Sequence, residues 1–228
     1  MRWILLPGLD GTGKLFAPLL EILPPHVQAT VVSYPGNKKQ SYDDLYRQVL
    51  TVLPSDEPFL LVAESFSGPI GIRIAAAAPK NLIGLALCAS FATSPANTLE
   101  KALLSFLGGF MFKFHPPVWA VRRYLAGKNA SPRLMQLFYD SIAQVSPGVM
   151  HDRLKMILKI DETENLHGIT APVLYLFGKQ DKLVARKNFD LIATHLKQIK
   201  LREIDAPHFI LQTAPAAALE SLVEFSGG

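Results

Sequence analysis

A chain of 228 residues that is 49% hydrophobic and 18% charged, with a mean hydropathy of +0.22, carries enough apolar area for one large core. This excludes a disordered or fibrous polymer. One cysteine, Cys88, leaves no intrachain disulfide or thiolate zinc cluster, and no apolar run reaches the length of a bilayer-spanning helix. The net charge of +4 is unevenly spread: residues 96–160 carry +6 and the remainder −2, yet no Lys/Arg run or stacking-aromatic motif accompanies it, so nucleic acid is not an expected partner.

The apolar stretch Trp3–Leu6 is too short for a secretory signal, so the expectation is a reduced, cytoplasmic protein without stable membrane insertion. In chain order, short apolar runs alternate with helical patterns. Trp3–Leu6, Ala29–Tyr34, Phe59–Val62, Ile83–Cys88, Val173–Phe177 and Ile199–Ile204 read as six strands. Their continuous rather than alternating hydrophobicity suits strands covered on both faces, hence a mainly parallel sheet. Leu15–Leu23, Tyr42–Leu53, Ile70–Ala78 and Phe189–Leu196 read as helices between them; Leu45, Val49, Val52 and Leu53 form one apolar stripe. The order predicts a doubly wound α/β domain, with residues 1–95 and 166–228 forming the core. Residues 96–165 interrupt the alternation and predict a helical insertion. It would sit at the C-terminal edge of the sheet, where such folds bind ligands. Two stripes in it are apolar: Leu134, Leu137, Phe138 and Ile142, then Met150, Leu154, Ile157 and Leu158.

The sharpest chemical signal is Phe59-Leu-Leu-Val-Ala-Glu-Ser65-Phe66-Ser67-Gly68, a buried strand running straight into a helix. Small residues at Ala63 and Ser67 flank Ser65, as a nucleophile elbow requires, because the reversal leaves no room for bulk two positions either side. The usual glycines at both places are absent, and Gly68 follows one step later. Asp181 lies just beyond the fifth strand in Gly178-Lys-Gln-Asp181, and His208 just beyond the sixth. All three groups fall at one edge of the sheet. Serine is a poor nucleophile until an imidazole takes its proton, and a carboxylate fixes the imidazole tautomer, so the set points to nucleophilic acyl chemistry. After the first strand, Pro7-Gly8-Leu9-Asp10-Gly11-Thr12-Gly13 is a glycine-rich loop placed to donate an oxyanion-hole amide, with the Phe66 amide as the second donor. The run Gly8 to Lys14 imitates a phosphate-binding loop, but Leu15 stands where Ser or Thr would hold magnesium.

These segments resemble the α/β-hydrolase superfamily, and Leu-Pro-Gly-Leu-Asp-Gly-Thr-Gly is similar to its esterase/lipase/acyltransferase branch. The resemblance covers residues 1–93 and about 165–225. It implies the α/β-hydrolase fold in a minimal six-stranded form, helices on both faces and residues 96–165 as a helical lid. It also implies Leu9 as the first oxyanion donor, and favours Asp181 over Asp205 as the acid. The expected activity is carboxylic ester hydrolysis without metal or cofactor. Thioester hydrolysis or acyl transfer to another acceptor uses the same machinery. A non-enzymatic binding protein of this fold would have no need of all three groups. Of the large apolar lid residues, Phe106, Phe110, Met111, Phe114 and Trp119 are expected to line an acyl pocket for short-to-medium chains, with Phe112 beside them. Arg122, Arg123, Lys155 and Lys159 are candidates for docking an acidic acyl carrier protein that presents its acyl chain to Ser65. In this the lid is similar in logic to superfamily esterases acting on carrier-bound methyl esters. Cys88 reads as core, Glu64 as structural, and His26, His151, His167 and His195 as groups without metal-ligand spacing.

Overall fold

The computed structural model describes residues 1–96 and 114–227. Six strands form one sheet: β1 (Arg2–Leu6), β2 (Gln28–Val31), β3 (Phe59–Glu64), β4 (Leu82–Cys88), β5 (Val173–Gly178) and β6 (Ile199–Ile204). Their order is β2-β1-β3-β4-β5-β6, and every neighbouring pair runs parallel. All six match the sequence reading to within a few residues. β2 ends earliest, at Val31 rather than Tyr34, although Val32 N–H still donates to Leu5 O at 2.9 Å.

Among the described residues the α-helices are α1 (Ala17–Leu20), α2 (Tyr42–Leu50), α3 (Gly68–Ala76), α4 (Val118–Val121), α5 (Pro132–Ile142), α6 (Pro147–Lys159), α7 (Thr163–Leu166), α8 (Lys187–His195), α9 (Ile210–Thr213) and α10 (Pro215–Phe225). Two apolar clusters lie on opposite faces of the sheet because successive strand side chains alternate. Ile4, Leu6, Leu61, Ala63, Leu85 and Leu87 join one; Trp3, Leu5, Leu60, Val62, Ala86 and Cys88 join the other. Cys88 is thus core, as expected. Helix α2 is started by a capping box between Ser41 and Asp44 and ends before Val52, which is exposed. Of the apolar stripe read from the sequence, Leu45 and Val49 are buried and Leu53, beyond the helix end, packs against the same cluster, whereas Val52 faces solvent.

Between β4 and β5 the described chain is helical from Val118 to Leu166 apart from connecting loops, with a π-helical turn over Arg122–Ala126. Val121, Ala126, Leu134, Met135 and Phe138 pack on Leu15 and Phe209, so this segment rests on the loops at the C-terminal edge of the sheet. Among the described residues, no helix is long and apolar enough to cross a membrane.

Candidate active site

β3 delivers Ser65 to the sheet edge through a turn that reverses at once into α3. Ser65 takes φ +46°, a left-handed conformation that costs a non-glycine residue about 1–3 kcal/mol and persists only where its surroundings over-determine it. Those surroundings are visible. Ser90 Oγ donates to Ser65 O at 2.7 Å, and Tyr42 Oη donates to Phe66 O at 3.1 Å while its ring stacks on Phe66. A Cβ at Gly68 would collide with Ser90 Oγ, and one at Gly71 would come within 2.9 Å of Ala63 Cβ. The space requirement of the turn therefore falls on Gly68, Gly71 and Ala63 rather than on position 67. Ser67 has a task of its own: it donates to Pro7 O and accepts from Tyr34 Oη at 2.8 Å, tying the elbow to the loop after β1. Burial pushes the Tyr34 phenol well above its ordinary range, against the opposing effects of Ser67 and Arg153, so Tyr34 stays a donor.

The fold brings Ser65, His208 and Asp181 into one hydrogen-bonded chain. His208 Nε2 lies 3.0 Å from Ser65 Oγ, and Nδ1 lies 2.8 Å from Asp181 Oδ2. The Asp181 side chain is wholly buried, and its other oxygen accepts the amides of Leu183 at 2.8 Å and Val184 at 3.0 Å. A carboxylate acceptor on Nδ1 leaves Nε2 free to withdraw the serine proton. Asp205 is exposed and accepts from Gln180, out of this chain. Among the described residues the amides of Leu9 and Phe66 have no protein acceptor; the first bond of the turn runs from Gly68 N–H to Ser65 O. Leu9 is held in a small cluster with Val145, Val149 and Met150.

Two groups carry more than the sequence reading gave them. Glu64, immediately before Ser65, is almost fully buried and accepts from Gln212 Nε2 at 2.8 Å. Burial pushes its carboxyl up to about 7; nearby Asp10 adds to this, while Gln212, His208 and the Gly8 amide oppose it. Arg153, one of the charges that make up the +6 of residues 96–160, is 3% exposed and donates to the carbonyls of Leu9, Asp10 and Pro35. Its sequence signal was available: it falls three and four positions after Met150 and Val149, on the buried stripe of α6.

The other sequence candidates are distributed unevenly. Phe106, Phe110, Met111 and Phe112 lie outside the described residues. Phe114 and Trp119 are 63% and 68% exposed; Trp119 faces solvent because α4 turns its Val121 face inward. Arg123, Lys155 and Lys159 are exposed and Arg122 is half-buried. Asp152 pairs with Lys39. A cleft of about 460 Å³ opens behind the loop bearing His208, lined by Gly127, Lys128, Asp205, Pro207 and Gln212 among others, but neither Ser65 nor His208 lines it. Among the described residues no cluster of His, Cys, Asp or Glu could hold a metal ion.

Comparison with known proteins agrees with this architecture. The pimeloyl-[acyl-carrier protein] methyl ester esterase of Neisseria meningitidis is 23% identical over 236 residues, covering 96% of this chain and 92% of that protein. A hydrolase from Oleispira antarctica superposes with a TM-score of 0.83 at 14% identity, over 100% of this chain and 91% of the other. The enol-lactonase of Burkholderia xenovorans superposes with a TM-score of 0.79 at 18% identity, again over 100% and 91%. The model of the alpha/beta hydrolase family matches residues 3–221, and the chain belongs to that family.

Proposed function

We propose that this chain is a serine carboxylic ester hydrolase in which Ser65 is the nucleophile, His208 the proton carrier and Asp181 the group that orients it. The observation that carries the reading is the relay from Ser65 Oγ through His208 to the buried Asp181, at 3.0 and 2.8 Å. Ser65 Oγ attacks the ester carbonyl carbon as its proton passes to His208 Nε2. The carbonyl oxygen becomes an oxyanion received by the Leu9 and Phe66 amides. Collapse expels the alcohol, which takes the proton from His208 and leaves an acyl-serine. Water, deprotonated by His208, then releases the carboxylic acid and restores Ser65.

The segment between β4 and β5 serves in this reading as the lid, and a cytoplasmic setting suits the single buried thiol. Short-to-medium acyl esters are the proposed substrates. The similarity to an esterase named for a carrier-bound methyl ester supports an acyl-carrier-protein ester among them, with exposed Arg123, Lys155 and Lys159, and half-buried Arg122, meeting the acidic carrier. The test is fluorophosphonate labelling followed by an aryl ester panel. Label should attach to Ser65 and disappear in Ser65→Ala, with kcat falling by several orders of magnitude. Labelling that survives in Ser65→Ala and is lost in Ser67→Ala would reverse the assignment.

A further inference from the structure

Arg153 is a buried cation with no carboxylate within ion-pairing distance among the described residues. Burying such a charge costs several kcal/mol unless its donors are well used. Nη1 lies 3.0 Å from Leu9 O and 2.6 Å from Asp10 O, and Nη2 lies 3.1 Å from Pro35 O. Its Cζ is 5.8 Å from the centroid of the Tyr34 ring. Burial lowers its pKa and the Asp10 charge opposes this, but a guanidinium stays protonated throughout the working pH range.

The backbone shows where this force is delivered. Gly11 has φ +69°, and a Cβ there would run into the guanidinium, so only glycine lets the loop pass beneath it. Gly11 N–H in turn donates to Gly8 O at 3.0 Å. Gly8 C=O and Leu9 N–H belong to one planar trans peptide and point in opposite directions. Fixing the Gly8 carbonyl therefore aims the Leu9 amide. From the same helix, α6, Val149 and Met150 hold the Leu9 side chain, and Ser146 N–H, at its N-cap, donates to Gly36 O at 2.8 Å.

We infer that Arg153 is a positioning residue for the oxyanion hole, and that the helical segment between β4 and β5 completes the site by holding the loop that presents Leu9 N–H. This rests on the serine hydrolase reading above. It makes docking of α6 a condition for stabilising the tetrahedral intermediate, so the insertion does more than cover the entrance.

The experiment measures kcat and KM for a p-nitrophenyl ester, and the affinity of an alkyl boronic acid that forms a tetrahedral adduct. The variants are Arg153→Met, Arg153→Lys and Gly11→Ala, with thermal melts to select folded protein. Losing one oxyanion donor lowers kcat by about 10²–10³-fold, and the expected fall in Arg153→Met approaches that range with KM changed less than about threefold. Boronate affinity should fall in proportion to kcat/KM, which a loss of packing alone would not produce. Gly11→Ala should show the same signature from the opposite side of the contact, and Arg153→Lys a smaller one. If Arg153→Met does not fold, the other two variants decide. Wild-type kcat and boronate affinity in folded variants, with Ser65 still labelled, would overturn this inference alone. Absence of Ser65 labelling in the wild type would overturn the hydrolase reading and this inference with it.

Discussion

Replacing Glu64 with Gln should stabilise the protein, and increasingly so as pH rises. Burial and the nearby Asp10 raise the Glu64 carboxyl from its ordinary 4.5 to about 7. Between those values the folded chain binds a proton that the unfolded chain has released, so stability falls as pH climbs through the window. Below pH 4.5 both states are protonated and Glu64 costs nothing; above 7 the full penalty applies. A shift of about 2.5 units at about 1.4 kcal/mol each gives a limiting penalty of about 3–4 kcal/mol. The glutamine side chain introduced there would be held as the protonated acid is. Its carbonyl can accept the Gly8 amide, and its NH₂ can donate to Gln212 once that amide turns over. Turning the Gln212 amide gives its Oε1, buried and without a partner among the described residues, an acceptor role in exchange for the bond its Nε2 now donates, so the number of hydrogen bonds is conserved. Urea unfolding of wild type and Glu64→Gln at several pH values is the assay. The difference should grow from about 1 kcal/mol at pH 5 to about 3 kcal/mol at pH 8, with unchanged m-values. A constant difference across that range would refute the assignment of the titration to Glu64, and a destabilised variant at pH 8 would refute the hydrogen-bond argument.

Asp181→Asn should fold normally but lose about 10⁴ in kcat by presenting the wrong imidazole tautomer, whereas Asp205→Asn should lose little; steady-state kinetics on both variants separates the two carboxylates. Gly68→Ala should destabilise by about 1–3 kcal/mol in denaturant unfolding, because its Cβ must displace Ser90, which holds the Ser65 carbonyl. Reversing Arg122, Arg123, Lys155 and Lys159 to Glu should lower kcat/KM for an acyl-carrier-protein ester at low salt and spare a small neutral ester. Equal effects on both, or no salt dependence, would leave these residues as solvated surface.

By itself the sequence determined the strands and the places after them. Short apolar runs alternating with helical patterns suit parallel strands between helices, and all six were legible, including β6, whose Lys200, Arg202 and Glu203 break the apolar run at the edge of the sheet. The hydrogen-bonded proximity of Ser65, Asp181 and His208 could be anticipated too, because each lies within four residues of a strand's end and strand ends share one edge of the sheet. Small residues around Ser65 announced a tight turn, though which of them the turn needs was decided by Ser90 pressing on Gly68. Only the tertiary structure decided what the charged and aromatic residues of the helical segment do. Arg153 looked like its neighbours Lys155 and Lys159 in composition, yet its helix turns it inward onto the loop of Leu9. Trp119 looked like a pocket residue, yet its short helix turns it outward. Glu64 could be placed beside the serine, but its raised pKa depends on Asp10, Gln212 and the depth of burial, all distant in sequence. Local pattern fixes which face of an element is apolar. What a polar group on that face meets depends on contacts across more than a hundred residues of chain, as between Arg153 and Leu9, and these exist only once the chain has folded.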